Sequence, residues 1–407
     1  MKLYCDITLP ASKSESNRAL MIAAYGGFAP DFQNISDSND TKVLMKVLGK
    51  LPFIDSHRRT GLRGKCFAFG VANDIKSKPQ VIDIANCGTA ARFLTTYLAC
   101  QKGDWILTGS ERMKQRPMAS LIDALDVLGV DIQYVEKYGC LPLRIKGNPI
   151  EGGKVSIDMT QSSQFASSLL LAAPMFPQGL ELELLGELRS LPYLDMTLAM
   201  MCHFSAQAER RGRTVVVKSQ PYKKQNFTVE PDWTAASYWY EMAAFSDDCE
   251  IRLRSLSLSK GRCNLQGDSV IVEWMQQLGI GTSVDGNDIV LRKTPYEKRP
   301  LSFDFTQHPD LYPMMAATCA GLNVEAGFTG LDNLAFKESD RVEAMRKELS
   351  KLDQYPLHFC SHNDHRIVMA LAPLSMLLGS VSFDHPEVVS KSYPGFWQDA
   401  CFLPVRR

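Results

Sequence analysis

The sequence predicts an α/β protein with two domains, and three observations support this: its length, a repeated helix signal and strand-like runs between the helices. At 407 residues the chain is longer than one hydrophobic core usually supports. Hydrophobic residues make up 45% and charged residues 22% of it, as in globular proteins with a packed core. We therefore expect two α/β domains of about 200 residues each.

A pattern typical of a helix start, in which polar residues precede small and apolar ones, recurs six times. We call the polar residues the opening of the helix. The six segments are "SESNRALMIAAY", "GTAARFLTTYLA", "SSQFASSLLLAAP", "TAASYWYEMAAF", "HPDLYPMMAATCA" and "NDHRIVMALAPLSML". The separations are 73, 73, 72, 75 and 55 residues between the markers Ser16, Thr89, Ser162, Thr234, Pro309 and Asp364. Solenoid repeats usually have periods of about 20 to 50 residues, so we favour six βα units grouped by threes. The last unit is short, and we expect the shortening near 351–362.

A second helix and strand-like runs accompany these openings. Segments such as "NDTKVLMKVLGK" and "MASLIDALDVLGV" carry apolar residues at i, i+3, i+4 and i+7, which predicts amphipathic helices. Short alternating or β-branched runs, among them "GDWILTG", "RTVVVKS" and "NDIVLRK", predict strands. Each unit therefore combines two helices with interleaved strands.

Charge and composition argue against several classes of function. Basic and acidic residues number 45 each, so bulk charge gives no reason to expect binding to nucleic acid or to a membrane surface. No apolar run reaches the length of a membrane span and "MKLYCDITLP" has no secretory pattern, so we expect a cytoplasmic protein. The 11 cysteines form no C-x-x-C pair, which favours reduced thiols over metal ligands or disulfides.

Cations and hydroxyls beside the predicted helix starts indicate an anion site. They occur in "SKSESNR", "NCGTAAR", "GSERMKQRP", "KESDR", "NDHR" and "SKSYP", where free backbone N–H groups also attract anions. Arg binds a carboxylate or phosphate with two hydrogen bonds, and Lys supplies a movable charge. The set is too large for an uncharged ligand and predicts a multiply anionic one. Its members are Lys13, Arg116, Lys337, Arg341, Arg366 and Lys391.

Two carboxylates lie among these cations, Asp310 in "HPDLYP" and Glu338 in "KESDR". Both could be simple charge partners. A carboxylate among cations stays ionised, however, and can accept a proton from a hydroxyl held nearby. Acid–base catalysis is therefore the more specific interpretation of these two carboxylates. His365 could share that work. Motifs for P-loop, dinucleotide, zinc-hydrolase and serine-hydrolase chemistry are absent from the sequence.

Seven segments resemble the signature blocks of the 5-enolpyruvylshikimate-3-phosphate synthase family, the 3-phosphoshikimate 1-carboxyvinyltransferases among the enolpyruvyl transferases. The segments are "LPASKSESNRALMIAA", "NCGTAARFLT", "SERMKQRPMASLIDAL", "SSQFASSLLLAAP", "KESDRVEAMRKEL", "NDHRIVMALA" and "SKSYPGFW", in the family's order across nearly the whole chain. The resemblance implies two similar domains of three βαβαββ units each, of the inside-out α/β barrel type, with an active site between them. The first domain would span 12–230 and the second 1–11 and 231–407.

The same resemblance implies a transferase of the shikimate pathway to aromatic amino acids. It would move the enolpyruvyl group of phosphoenolpyruvate to the 5-hydroxyl of shikimate 3-phosphate and release phosphate, with no metal or organic cofactor. We expect a monomer whose partners are these two small molecules, and neither nucleic acid nor a membrane. Asp310 would take the hydroxyl proton, while Lys13 and Glu338 would protonate and deprotonate the methylene carbon.

The resemblance also implies two sets of substrate-binding residues. Those for shikimate 3-phosphate are Ser14, Arg18, Ser162, Ser163, Gln164, Ser190, Tyr193, Asn333 and Lys337. Those for phosphoenolpyruvate are Lys13, Gly88, Arg116, Gln164, Arg341, Arg366 and Lys391. The sequence departs from the family's usual pattern at Cys87 and Phe93, beside the second set.

Two alternatives remain at this point. The related UDP-N-acetylglucosamine enolpyruvyl transferases share the donor and the implied architecture, but "GSERMKQRP" has no reactive cysteine and "SSQ" suits a shikimate phosphate. The chain could also be an inactive anion-binding protein on the same scaffold. The presence of Lys13, Asp310 and Glu338 disfavours that alternative.

Overall fold

The structure is a computed structural model that describes residues 1–51, 78–258, 265–354 and 356–406. The chain divides into two compact units, which we call unit 1 and unit 2. Unit 1 comprises Met1–Lys13, Asn34–Asn39 and Val229–Arg407, and unit 2 comprises Ser14–Gln33 and Asp40–Thr228.

Helices and strands alternate along the described chain. The α-helices are α1 (Lys13–Gly26), α2 (Asn39–Leu48), α3 (Gly88–Ala99), α4 (Ala119–Val127), α5 (Ser163–Ala172), α6 (Leu191–His203), α7 (Trp233–Phe245), α8 (Ile271–Gln276), α9 (Tyr312–Gly321), α10 (Arg341–Leu349), α11 (His365–Leu371), α12 (Ser375–Leu378) and α13 (Phe396–Asp399). The strands are β1 (Lys2–Ile7), β2 (Gln80–Asp83), β3 (Gly103–Thr108), β4 (Asp131–Tyr134), β5 (Leu143–Gly147), β6 (Gly153–Asp158), β7 (Leu180–Leu185), β8 (Ala208–Arg211), β9 (Thr214–Val217), β10 (Asp248–Leu253), β11 (Ile280–Asp285), β12 (Asp288–Lys293), β13 (Leu301–Asp304), β14 (Ala326–Thr329), β15 (Leu357–Phe359), β16 (Val381–Phe383) and β17 (Val405–Arg406). None of the helices in the described residues combines the length and the apolarity needed to cross a membrane.

Unit 2 contains two four-stranded sheets with the same topology. Their strand orders are β2-β3-β5-β4 and β6-β7-β9-β8. In each sheet the first two strands are parallel, and the other neighbouring pairs are antiparallel. Because parallel neighbours need a crossover connection, a helix lies between them in the chain: α3 between β2 and β3, and α5 between β6 and β7.

Unit 1 contains a sheet with the same pattern and two smaller parallel sheets. The order β1-β10-β12-β11 again starts with a parallel pair, in which Leu3 faces Cys249, and continues with antiparallel neighbours. The smaller sheets are β13-β14 and β15-β16-β17. The predicted mixed α/β class is confirmed, and within the described residues no sheet closes into a barrel.

The helices with polar openings form the interior of each unit. Every residue of α3 and α7 is buried, and α1 is buried from Glu15 to Tyr25. A helix buried on all sides must satisfy the N–H groups of its first turn without relying on water. Capping side chains do this by accepting backbone hydrogen bonds at the starts of α3, α5, α7 and α11, and they are Cys87, Ser162, Asp232 and Asp364.

One ionisable group lies in the core of unit 1 without a charged partner. Glu241 is fully buried in the middle of α7, and neither of its carboxyl oxygens has a hydrogen-bond partner within the described residues. The neighbouring Thr318 hydroxyl donates to the Met314 carbonyl oxygen instead, at 2.8 Å. Burial raises the pKa of Glu241 well above its ordinary value, since the charged form loses its hydration.

We expect Glu241→Gln to remove a pH dependence of stability. Because the folded-state pKa of Glu241 is raised, its contribution to the free energy of unfolding has its full value below about pH 4.3, where the carboxyl group is neutral in both the folded and the unfolded protein. That contribution declines as the pH rises, by up to about 1.4 kcal/mol per pH unit. Urea unfolding from about pH 5 to pH 9 measures the slope. The matched control is Glu250→Gln on the exposed side of β10, which should keep the wild-type slope. Identical slopes for wild type and Glu241→Gln would contradict this assignment.

Candidate active site

Charged side chains from four segments of unit 1 form one group, which we call the unit 1 cluster. The segments are the 3-10 helix Pro309–Leu311 before α9, the turn before α10, the first turn of α11 and the 3-10 helix Pro386–Lys391. The starts of α10 and α11 and of the 3-10 helix before α9 therefore converge here. The members of the cluster are Asp310, Lys337, Glu338, Arg341, Asp364, Arg366 and Lys391.

Asp310 is held between two guanidinium groups of the unit 1 cluster. Its Oδ1 accepts a hydrogen bond from Arg341 Nη1 at 2.8 Å, and its Oδ2 accepts one from Arg366 Nη2 at 2.7 Å. Lys337 Nζ lies 3.9 Å from Oδ1. Burial by itself raises the pKa of Asp310, but the surrounding cations, with Arg366 foremost, outweigh burial and hold the pKa well below its ordinary value. Asp310 is therefore ionised.

Arg341 links three carboxylates, and only 1% of its side chain is exposed. Besides Asp310, it donates from Nη2 to Glu338 Oε2 at 3.0 Å and from Nε to Asp364 Oδ2 at 2.8 Å. Burial alone lowers the pKa of Arg341, but the carboxylates, led by Asp364, outweigh burial and raise the pKa. Glu338 Oε1 also lies 3.7 Å from Lys391 Nζ, so Glu338 bridges two cations.

Lys13 and His365 complete the electrostatics around Asp310. Lys13 is the first residue of α1, and its backbone N–H donates to Asp232 Oδ2 at 3.3 Å. Its charge contributes to the low pKa of Asp310. His365 is buried, and burial first and the charge of Lys13 second hold its pKa well below the ordinary value. His365 is therefore neutral, and its share in the acid–base work stays a prediction.

In unit 2, a buried guanidinium is held by neutral oxygens. Arg18 donates from Nε to Thr197 Oγ1 at 2.7 Å, from Nη1 to the Ser14 carbonyl oxygen at 2.9 Å and from Nη2 to the Tyr193 carbonyl oxygen at 3.1 Å. The ring of Phe93 lies 5.7 Å from its Cζ. Burial lowers the pKa of Arg18 to about 10. Within the described residues no carboxylate forms an ion pair with Arg18, although the nearby charge of Glu15 acts to raise its pKa, so the guanidinium can still attract an anionic ligand.

A second group in unit 2 joins the starts of α3 and α5 to the segment after β3. A Cβ atom added to Gly88 would lie 2.5 Å from Arg116 Nη1, so the guanidinium rests directly on the glycine backbone. Gln164 donates from Nε2 to Thr89 Oγ1 at 3.2 Å, which places its amide beside the next residue of α3. Arg92 donates to the carbonyl oxygens of Gly88 and Pro117, at 3.1 and 3.0 Å, and so braces both segments.

The other predicted substrate-binding residues lie at helix starts or turns. Ser162 uses its hydroxyl to cap α5, and Ser163 is the first, buried residue of that helix. Ser190 precedes α6 in a left-handed conformation, and its hydroxyl does not cap the helix. Asn333 of unit 1 is 3% exposed, and its Oδ1 has no hydrogen-bond partner within the described residues. A buried acceptor without a partner costs about 1–3 kcal/mol, which a ligand donor could offset.

The structure places most of the predicted site residues in three groups, the unit 1 cluster and the two groups of unit 2, and two further residues contact members of these groups. Asp364, a marker of the repeat in the sequence, binds Arg341, and its cap position in "NDHR" is the sequence signal for such a role. Thr197 holds Arg18 from inside the apolar run of α6, where no sequence pattern distinguishes it. Within the described residues, no three His, Cys, Asp or Glu side chains are grouped as metal ligands.

Comparison with known proteins identifies the family. The family model of EPSP synthase (3-phosphoshikimate 1-carboxyvinyltransferase) matches residues 1–400. The chain belongs to this family. Among EPSP synthase relatives, the 3-phosphoshikimate 1-carboxyvinyltransferase of Bacteroides fragilis (strain YCH46) is 39% identical over 98% of this chain and 95% of its own. The family resemblance seen in the sequence is confirmed.

Solved structures show that the fold is that of the family. The EPSP synthase from Acinetobacter baumannii matches with a TM-score of 0.68 at 20% identity, over 98% of this chain and 96% of that one. The enolpyruvyl transferase NikO from Streptomyces tendae matches with a TM-score of 0.62 at 14% identity, over 98% and 95%. The fold is thus shared by enolpyruvyl transferases that differ widely in sequence.

Proposed function

We propose that this chain transfers the enolpyruvyl group of phosphoenolpyruvate to the 5-hydroxyl of shikimate 3-phosphate and releases phosphate. Membership of the EPSP synthase family and the name of the Bacteroides fragilis relative support the reaction. The main structural support for this reaction is the ionised Asp310, which accepts hydrogen bonds from Arg341 and Arg366. A bound anion and a base for a hydroxyl proton are then available at the same place.

Two sets of groups are proposed to bind the donor. In unit 1, Arg341 and Arg366 present forked donors that suit a carboxylate or a phosphate, and Lys13 and Lys391 add point charges. In unit 2, the donor set comprises Gly88, Arg116 and Gln164. Each charge-assisted hydrogen bond contributes about 1.5–3 kcal/mol, so a few of them suffice for binding once the cost of association is subtracted.

Shikimate 3-phosphate is proposed to bind mainly to hydroxyl and amide groups near helix starts, with Arg18 as the buried cation. Arg18 suits this role because it has no carboxylate partner in the described residues. Asn333 of unit 1 has a buried acceptor for a substrate hydroxyl, and Lys337 supplies charge for the phosphate. The remaining groups of the set are Ser14, Ser162, Ser163, Gln164, Ser190 and Tyr193.

The proposed chemistry has two steps with balanced proton transfers. In the first, the 5-oxygen bonds to C2 of phosphoenolpyruvate, its proton passes to Asp310 and the methylene carbon gains a proton. In the second, that carbon loses a proton and the C–O bond to phosphate breaks, so phosphate leaves with the electron pair. Lys13 and Glu338 serve the proton transfers at carbon. A donor anion that binds Arg341 and Arg366 draws positive charge from Asp310 and so makes it a stronger base.

The finer architecture is also part of the proposal. We assign the first domain to 12–230 and the second to 1–11 and 231–407, each with three βαβαββ units. The recurrence of one strand order in three four-stranded sheets supports a repeated unit. The short sheet β15-β16-β17 agrees with a shortened last unit near 351–362.

The choice of acceptor tests the proposed reaction. Phosphate release from phosphoenolpyruvate should require shikimate 3-phosphate and should not occur with UDP-N-acetylglucosamine. Release with only the second acceptor would move the chain to the related transferases. Release with neither acceptor would remove the enzyme assignment.

We expect Gly88→Ala to weaken binding of phosphoenolpyruvate and leave the fold intact. The added methyl group would displace the Arg116 guanidinium, whose Nη1 would otherwise lie 2.5 Å away. A displacement of about 1 Å can cost about 100-fold, so KM for phosphoenolpyruvate should rise by about 10- to 100-fold. The control is Gly327→Ala in β14, where an added Cβ meets only ordinary contacts at 3.8 Å or more. Unchanged KM values in Gly88→Ala would contradict the role assigned to Arg116.

A further inference from the structure

Asp364 is a fully buried carboxylate that touches both arginines assigned to the donor. Its Oδ2 accepts hydrogen bonds from Arg341 Nε at 2.8 Å and from the Ser339 hydroxyl at 3.1 Å. Its Oδ1 accepts one from the backbone N–H of Arg366 at 3.0 Å and faces Arg341 Nη2 at 3.4 Å. One side chain therefore links the starts of α10 and α11.

The bond to Nε fixes how the Arg341 guanidinium is oriented. The N–H donors of a guanidinium all lie in its plane, so carboxylates bind at its edges, and Asp364 occupies the edge formed by Nε and Nη2 of Arg341. Because Asp364 takes Nε, the two terminal nitrogens point to Asp310 and Glu338. Those terminal nitrogens are the ones that a ligand carboxylate or phosphate would bind.

The bond to the Arg366 N–H fixes the second arginine through the backbone. Asp364 is the cap residue of α11, with an extended backbone conformation and a side chain that accepts from the second residue of the helix. The helix start determines where the side chain of Arg366 emerges, and that side chain binds Asp310 at 2.7 Å. Both arginines thus take their positions from the same carboxylate.

We propose that Asp364 is a positioning residue that sets the orientation of Arg341 and Arg366 for binding phosphoenolpyruvate. This inference rests on the proposed function for its substrate, whereas the geometry that it describes can be tested in the free protein. Asp364 does not touch the reacting atoms in this account. It acts through the two arginines.

Asp364→Asn separates positioning from helix capping. Asn is as good a cap as Asp, so α11 keeps its first-turn hydrogen bond. Asn keeps a single acceptor oxygen; when that oxygen caps the Arg366 N–H, the NH2 group takes the place of Oδ2 and cannot accept from Arg341 Nε, so the guanidinium must rotate. We expect KM for phosphoenolpyruvate to rise by about 10- to 100-fold, the range typical when a group that orients a ligand-binding side chain is lost. KM for shikimate 3-phosphate should stay within about twofold of the wild-type value.

The matched control is Asp340→Asn. Asp340 caps α10, the helix that begins with Arg341, by accepting from the Glu343 N–H at 3.1 Å, and it is exposed. The same replacement there removes a carboxylate from a cap without removing a contact to either arginine. Its KM values should match those of the wild type. Equal KM values in Asp364→Asn and Asp340→Asn would overturn the inference, and so would an equal rise in both KM values of Asp364→Asn.

Nuclear magnetic resonance of arginine Nε groups tests the geometry without any turnover. In the wild-type protein, assigned by comparison with Arg341→Lys, the Arg341 Nε–H signal should be shifted downfield and should exchange slowly. It should return toward the ordinary position in Asp364→Asn and remain in Asp340→Asn. A wild-type Arg341 signal like that of Arg213, an exposed arginine whose Nε makes no hydrogen bond within the described residues, would overturn the inference even if Asp364→Asn did not fold. Wild-type protein that shows the shifted signal but releases no phosphate would refute the proposed function and leave the geometry standing.

Discussion

Asp310→Asn is expected to lower kcat by about 10²- to 10⁴-fold, the range in which the loss of a positioned general base falls. The amide cannot take the proton of the acceptor hydroxyl, so the C–O bond forms without assistance. Binding should survive, because the variant removes a negative charge from a site for anions. Phosphate release measures kcat, and calorimetric titration with shikimate 3-phosphate measures binding.

The control for this experiment is Asp304→Asn at the end of β13. That carboxylate is exposed and accepts hydrogen bonds from the Thr306 N–H and hydroxyl, at 2.9 and 2.6 Å. It has the same chemistry outside the unit 1 cluster, so kcat should be unchanged. If Asp310→Asn keeps more than about a tenth of the wild-type kcat, Asp310 is not the base that the reaction needs.

Arg341→Met is expected to lower the free energy of unfolding by about 3–5 kcal/mol, because it leaves buried carboxylates without their common partner. Asp310, Glu338 and Asp364 are 18%, 9% and 0% exposed in their side chains, and each is bound to Arg341 at 3.0 Å or less. Water therefore cannot replace the lost charge. The variant should also raise KM for phosphoenolpyruvate, since a forked donor is lost. Urea unfolding and steady-state kinetics measure the two effects.

Arg346→Met on the same helix is the matched control. Arg346 is exposed and pairs with Glu343 at 2.6 Å, and exposed pairs of this kind contribute little to stability. Its unfolding curve should therefore overlay that of the wild type. An Arg341→Met protein as stable as this control would show that the unit 1 cluster is not the buried network described above.

The sequence located the charged helix starts, because polar openings before apolar runs are local patterns. It could not say how each polar group is used. Ser162 caps α5 with its own hydroxyl, Arg18 is held by backbone carbonyl oxygens and Thr197, and His365 is neutral because of its surroundings. The Ser162 cap is a local contact with the Gln164 N–H, but the other two uses depend on residues that are distant in sequence: Arg18 and Thr197 are 179 positions apart, and the charge of Lys13 helps to lower the pKa of His365.

In the fold, too, some features follow from local sequence patterns, whereas others depend on contacts between distant residues. Amphipathic runs and alternating runs predicted helices and strands, since their periods reflect local geometry. The pairing of β1 with β10 joins Lys2 to Asp248, and no local pattern encodes that contact. Asp364 is an intermediate case, because its cap position is readable in "NDHR" whereas its bond to Arg341 is not.

The stoichiometry of products tests the central claim most directly. Phosphoenolpyruvate and shikimate 3-phosphate are mixed with the protein and followed by ³¹P and ¹H nuclear magnetic resonance. The account predicts one inorganic phosphate and one new enol ether on the acceptor for every shikimate 3-phosphate consumed, and no phosphate when the acceptor is left out. Phosphate released without the acceptor, or without an equal amount of enol ether, would contradict enolpyruvyl transfer by this chain.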